Sequence, residues 1–205
     1  PVLFLGETGT GREAFARYLH AQSARAERPF VAFVCASCEE AGAAARLRGV
    51  ERDGTVVEPG LYGQAAGGTL YLHGLEDLAP AVQRLLAADL ESGGYLREGG
   101  RTPQRLDVRF VSAALPGFEQ RESAPFRRDL LSHLNLVALR VPPLREYAED
   151  VPELLRYYVD RLVDDERLPF RRFGVAAQNR LRNYPWPGNV RELRNLVHRL
   201  LLLGG

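Results

Sequence analysis

The chain has 205 residues and a formal net charge of +1, from 27 basic against 26 acidic side chains, so no global field argues for nucleic acid or membrane as a partner. No apolar run approaches the ~18–20 residues of a membrane span. Cys35 and Cys38 form a single C-x-x-C, which suits free thiols in a cytoplasmic chain better than a disulfide framework.

In chain order, Val2 to Leu5 is a short apolar run with strand character. It leads into Gly6-Glu7-Thr8-Gly9-Thr10-Gly11-Arg12-Glu13, and Glu13 to Ala21 follows with helical periodicity through Ala14, Phe15 and Leu19. Strand, glycine-rich turn and helix is the context of a phosphate loop: the glycines let backbone N–H groups turn inward around a polyphosphate, and the helix N-terminus favours the anion. Such loops place lysine where Arg12 stands. Arginine is a planar fork and not an equivalent part, although every basic residue of this chain is arginine, which leaves plain drift as the alternative.

Further strands are predicted at Phe30–Cys35, Thr69–Leu72, Val108–Ala113 and Val137–Val141, making five with the first. Pro80–Leu90 reads as an amphipathic helix with proline in its first turn. After Pro142-Pro143 the character changes. Asp150 is placed to cap a helix whose buried stripe is Val151, Leu154, Leu155, Tyr158, Val159 and Leu162. Two more helices are predicted over 175–184 and 189–203, joined by Pro185-Trp186-Pro187-Gly188-Asn189. The expected plan is an α/β core with a five-stranded, mostly parallel sheet over 1–142, followed by an all-helical unit over 143–205. With its abrupt start on a strand, the sequence reads as a piece of a longer protein.

The succession GETGTGRE, PFVAFVCAS (29–37), GGTLYLHGLEDL (67–78), DVRFVSAA (107–114), FRRDLLSHLNLVALRVPPLRE (126–146) and WPGNVRELRNLV (186–197) resembles the AAA+ central domain of NtrC-like activators of sigma-54 RNA polymerase. The resemblance covers nearly the whole chain. It implies a P-loop NTPase-type core with a helical lid, ATP bound between subunits of a ring, and a loop carrying GAFTGA that works on the sigma factor. It also implies a DNA-binding helix-turn-helix domain beyond this chain, and a cytoplasmic setting.

Against that pattern, Arg12 takes the place of the Walker A lysine. His73 and Gly74 take the places of the Walker B aspartate and glutamate, which hold Mg²⁺ and activate water. Histidine is a poor ligand for a hard cation, and glycine offers no side chain. Leu115 stands for the sensor-I asparagine and Val34 for the asparagine before the family's cysteine. Arg127 matches the arginine finger and Arg191 the sensor-II arginine, with His133 at a second arginine position. The segment LRGVERDGTVVEPG (47–60) is several residues short for a GAFTGA loop and lacks the motif; its Gly54, Pro59 and Gly60 suit a tight hairpin.

The leading expectation is therefore a pseudo-ATPase. It would self-associate as a ring or dimer and hold ATP, ADP or a cyclic dinucleotide without a well-formed Mg²⁺ site, with no catalytic residue and no engagement of sigma-54. Two other readings stand beside it: a divergent ATPase in which Glu76 or Asp77 replaces the missing acids, and an assembly module with an empty cleft. Arg127 and Arg191 could instead serve structure, paired with Asp129 or Glu192. Cys35, Cys38 and His73 could supply three zinc ligands, but with no fourth in view they read better as ordinary small or partly buried residues, and no metal is expected.

Overall fold

The computed structural model describes residues 1–120 and 126–203. By their packing these fall into two compact units, one of residues 1–5 and 12–140, the other of 6–11 and 141–205.

The first unit holds strands β1 (Val2–Leu5), β2 (Phe30–Val34), β3 (Val50–Arg52), β4 (Thr55–Glu58), β5 (Thr69–His73), β6 (Gly94–Tyr95), β7 (Gln104–Arg105), β8 (Arg109–Ala114) and β9 (Val137–Arg140). Its helices are α1 (Arg12–Ala21), α2 (Ala43–Arg48), α3 (Gly60–Gln64), α4 (Pro80–Ser92) and α5 (Arg128–Leu134). Five strands form one parallel sheet in the order β2-β5-β8-β1-β9. The central strands are near-continuous apolar runs because both of their faces are covered; Leu70, Tyr71, Val111 and Ala113 are wholly buried.

Three expectations change here. In α1 the sequence predicts an apolar face through Ala14, Phe15 and Leu19, yet Phe15 is 47% exposed, Leu19 is half-buried and the buried residues are Arg12, Ala16 and His20. That face repeats every fourth residue but carries two polar side chains, so apolar periodicity misses it. His20 fits inside because both ring nitrogens are bonded, Nδ1 to Thr69 Oγ1 at 2.9 Å and Nε2 to the Arg28 carbonyl at 3.1 Å. Strands β2 and β9, expected in the core, are the two sheet edges, with Val34, Val137 and Leu139 more than two-fifths exposed. The hairpin predicted in 47–60 is present as β3–β4, but Asp53 (φ 51°) and Gly54 (φ 76°) make its turn, while Gly60 starts α3.

The base of this hairpin is tied down. Asp89 of α4 is 2% exposed and accepts from Arg48 Nε at 2.9 Å and from the Tyr62 hydroxyl at 3.1 Å, so one carboxylate links α2, α3 and α4. Burial first, and then Asp89, pushes the Tyr62 phenol far above its ordinary range, which keeps it a neutral donor. Glu51 on β3 pairs with Arg97, and Val50 forms a parallel bridge with Glu98.

The second unit consists of α6 (Val151–Glu166), α7 (Val175–Arg182) and α8 (Asn189–Leu203) around Leu155, Val159, Trp186, Leu193 and Val197. The stripe predicted for α6 is the buried one, with Leu154 and Tyr158 at its margins. Asp150 does not cap this helix through its side chain; a 3₁₀ segment, Leu144–Asp150, kinked at Tyr147, leads into the first turn and leaves Asp150 in helical conformation. Trp186 is 1% exposed and its indole N–H donates to the Leu181 carbonyl at 2.9 Å, which fixes the turn between α7 and α8.

Candidate functional site

The six residues Gly6–Gly11 pack with the helical unit. Gly9 (φ 83°) approaches so closely that a Cβ there would lie 2.2 Å from the Gly188 carbonyl oxygen. Its own carbonyl accepts the Arg191 N–H at 3.1 Å, and Asn189 Nδ2 donates to the Thr8 carbonyl at 3.0 Å and to Glu7 at 3.2 Å. Arg145 Nη1 holds the Glu7 carboxylate at 2.8 Å, and Thr10 Oγ1 donates to the Glu7 carbonyl at 2.8 Å. The loop's carbonyls are thus turned toward protein donors. The N–H groups of Gly9 and Gly11 donate to no backbone carbonyl among the described residues, which is the polarity an anion-binding nest requires.

Asn189 and Arg145 carry this clasp and were not singled out from the sequence for it. Asn189 was legible only as part of a turn, and nothing local marks a partner 138 residues away for Glu7. Asn189 is itself buried in a left-handed conformation (φ 52°) and accepts the Leu144 N–H at 2.8 Å. Replacing Asn189 by Ala strands the Leu144 amide and adds backbone strain, for an expected loss of about 2–3 kcal/mol. Replacement by Gly loses the bonds without the strain. Hydrogen exchange is expected to quicken at the Leu144 amide in both variants, with the melting temperature lower for Ala than for Gly.

At the start of α1, Arg12 is 6% exposed and its Nη1 atom is buried with no hydrogen-bond partner. A buried guanidinium nitrogen without an acceptor costs free energy that an incoming oxyanion would return. Glu13 faces outward and pairs with Arg17 at 2.8 Å. Tyr71 lies nearby, a residue that apolar patterning marked only as a strand position. Burial pushes its phenol up, with the Arg12 charge working the other way, and its hydroxyl sits 3.2 Å from His73 Nδ1.

His73 ends β5, in register with Val34 of β2 and Ala113 of β8. Gly74 follows in left-handed conformation (φ 75°, ψ 63°), where a Cβ would lie 2.9 Å from Asp77 Oδ2. Glu76 is turned to another task, accepting the Leu115 N–H at 3.3 Å beyond the end of β8. Cys35 and Cys38 are both buried free thiols. Burial, with Glu76 and Asp77 adding to it, holds the Cys35 thiol far above its ordinary range, which disfavours the thiolate. Among the described residues, no three His, Cys, Asp or Glu side chains are grouped so as to hold a metal ion. The donor set at 73–74, an imidazole and a glycine, does not fit Mg²⁺, which asks for carboxylate and water oxygens.

Arg127 precedes α5 on the surface. Its guanidinium forks onto Asp129, and its backbone N–H donates to Gln83 Oε1 at 2.9 Å. The pairing weighed for Arg127 therefore forms, and the Arg127 guanidinium together with the Leu130 N–H draws the Asp129 carboxyl below its ordinary value. The pairing weighed for Arg191 does not form, because Glu192 accepts the Gly188 N–H at 2.8 Å and the Tyr184 hydroxyl at 3.2 Å. The exposed Arg191 guanidinium has no ion pair among the described residues.

Comparison with known proteins fits this architecture. Residues 1–140 match the model of the sigma-54 interaction domain, and 145–205 match that of an AAA+ ATPase lid domain. The DNA-binding transcriptional regulator NtrC of Rhizobium meliloti is 41% identical over 98% of this chain and 43% of its own length. The Nif-specific regulatory protein of Azotobacter vinelandii is 38% identical over 98% of this chain and 40% of its own. The chain thus spans less than half the length of these curated relatives. Crystal structures of NtrX from Brucella abortus in complex with ADP and with ATP superpose with TM-scores of 0.88 at 33% identity, over 98% of this chain and under half of theirs. Hsp104, at 17% identity and a TM-score of 0.72, shares the fold. The chain belongs to the sigma-54 interaction family of AAA+ domains, as found in NtrC-like transcriptional regulators.

Proposed function

We propose that this chain is the central domain of a cytoplasmic transcription regulator that binds a nucleotide through its phosphate loop, does not hydrolyse it, and works by assembly and ligand sensing. DNA contact would come from a helix-turn-helix domain elsewhere in the parent protein, and self-association from the ring habit of the family. The observation that carries the reading is Arg12: buried, charged, and with one nitrogen left without an acceptor. An arginine fork can donate two charge-assisted hydrogen bonds to one phosphate, a planar grip that the point charge of a lysine does not offer. ATP and ADP bound to NtrX support a nucleotide over the other phosphate ligand considered, a cyclic dinucleotide.

In this reading Gly6–Glu13 is the phosphate-binding loop by its sequence, and Arg191 is the sensor-II arginine by the family resemblance. His73 and Gly74 are poor Mg²⁺ and water-activating positions by chemistry. The pairing of Arg127 with Asp129 leaves no preformed finger. The short β3–β4 hairpin lacks the sigma-contacting motif, so remodelling of sigma-54 holoenzyme is not part of this reading. The rival reading, an ATPase driven by Glu76 or Asp77, is weakened because Glu76 already serves the Leu115 amide.

Calorimetric titration of the chain with ATP and ADP, with and without Mg²⁺, tests the proposal. Affinity is expected to change less than about threefold when the metal is withheld, and to fall at least about tenfold in Arg12→Ala, the worth of one charge-assisted hydrogen bond or more. A strict requirement for Mg²⁺, or binding indifferent to Arg12, would defeat it. No binding of any nucleotide would favour the assembly module.

A further inference from the structure

The helical unit contains a cavity of about 470 Å³ between α6 and the segment 170–173. It shares no residue with the phosphate loop or with Arg191. Its floor is apolar, from Leu155 and Val159 of α6 and from Phe173. Around this floor stand Arg156, Arg171 and Arg172, opposed by the single carboxylate of Asp160. The Arg172 guanidinium lies 5.9 Å from the centroid of the Phe170 ring, a cation–π contact on the rim. Arg156 and Arg171 have no ion pair among the described residues, and Arg171 Nε is buried without any hydrogen-bond partner.

The lining carries three guanidinium groups against one carboxylate, an excess of positive charge, and the buried Arg171 Nε–H without an acceptor costs free energy. Neither feature helps the fold: the buried stripe of α6 is complete without them. Both features suit one kind of guest. A volume in the range of small-molecule pockets, an apolar floor and cationic donors in the lining together match an organic anion with a flat apolar body. A metal ion is excluded by the sign of the charge, and a plain inorganic anion would leave the apolar floor unused.

We propose that this cavity is a ligand site of the lid for a small aromatic carboxylate or aromatic phosphate ester. Its head would bridge Arg171 and Arg156, and its ring would rest on Leu155, Val159 and Phe173. Because α6 and α7 both border the site, occupancy stiffens the lid, a route by which a metabolite could act on the regulator apart from the nucleotide.

The test is titration of the 205-residue chain with 1-naphthoate and with 1-naphthyl phosphate, the two heads that share this chemistry, and with neutral 1-naphthylmethanol as control. Saturable binding with a Kd below about 1 mM is expected for at least one acid, with the alcohol at least about tenfold weaker. The preferred head identifies the natural class. Arg171→Gln and Arg156→Gln, both at rim positions whose loss leaves the helical core intact, are each expected to weaken binding at least about tenfold without lowering the melting temperature. Arg12→Ala is expected to leave it unchanged, which separates this site from the nucleotide. Failure of both acids to saturate, equal binding of the alcohol, indifference to both arginine variants, or loss in Arg12→Ala would each overturn the proposal.

Discussion

Incubated with ATP and Mg²⁺ across concentrations that cover self-association, the chain is expected to release phosphate no faster than buffer. Phosphoryl transfer offers the protein little covalent work; catalysis comes from placing charge and metal around the transferring group. Removing one such stabilising group typically costs ~2.7–4 kcal/mol, or ~100- to 1000-fold in rate. Here Arg12, His73, Gly74, Leu115 and Val34 stand where the family resemblance implies lysine, two acids and two asparagines. The effects do not multiply, but one or two suffice to make turnover negligible.

The backbone strengthens this expectation. A glutamate restored at 74 would sit in a left-handed conformation, at about 1–2 kcal/mol, and would meet the Asp77 carboxylate. The triple variant Arg12→Lys, His73→Asp, Gly74→Glu is therefore expected to remain far below an ordinary family rate. A sensitive phosphate-release assay decides the matter. Turnover of the unaltered chain that vanishes in Arg127→Ala would sink the pseudo-ATPase reading.

Replacing Asp89 by Ala is expected to be among the most destabilising single changes in the α/β unit, by about 3 kcal/mol. Breaking a buried pair costs ~3–5 kcal/mol because the partner is left charged and unpaired. The lower end applies because Arg48 keeps 23% of its side chain exposed and can reach water. Tyr62, which is 1% exposed, has no such escape, and its hydroxyl is stranded as well. Urea unfolding monitored by circular dichroism measures the loss. The double variant Arg48→Met, Asp89→Leu is expected to recover part of it, since no charge is then left behind while the Tyr62 hydroxyl stays stranded. A loss under about 1 kcal/mol in Asp89→Ala would mean that α2, α3 and α4 are held by their apolar contacts alone.

The identity of each strand of the main sheet and of each lid helix follows from local pattern, whereas the short pair β6–β7 does not. Apolar β-branched runs such as FVAFV and TLYL have few alternatives to a strand, and the 3.6-residue stripe of α6 has few alternatives to a helical core. The phosphate loop is legible for the same reason, because glycine spacing dictates backbone shape directly. What escaped was every feature made by a partner distant in sequence. Phe15 is apolar yet exposed, and His20 polar yet buried, because Thr69 and the Arg28 carbonyl meet the imidazole.

The sequence by itself determined the family, the class of fold and the chemical poverty of positions 73 and 74, since these depend on residue type and local spacing alone. Only the tertiary structure decided that Arg12 is enclosed with an unmatched nitrogen, that Glu76 serves an amide, that Asn189 clasps the phosphate loop, and that three arginines surround a cavity in the lid. Burial and hydrogen-bond partnership are properties of surroundings, and the chain supplies those surroundings only once folding has brought remote residues together.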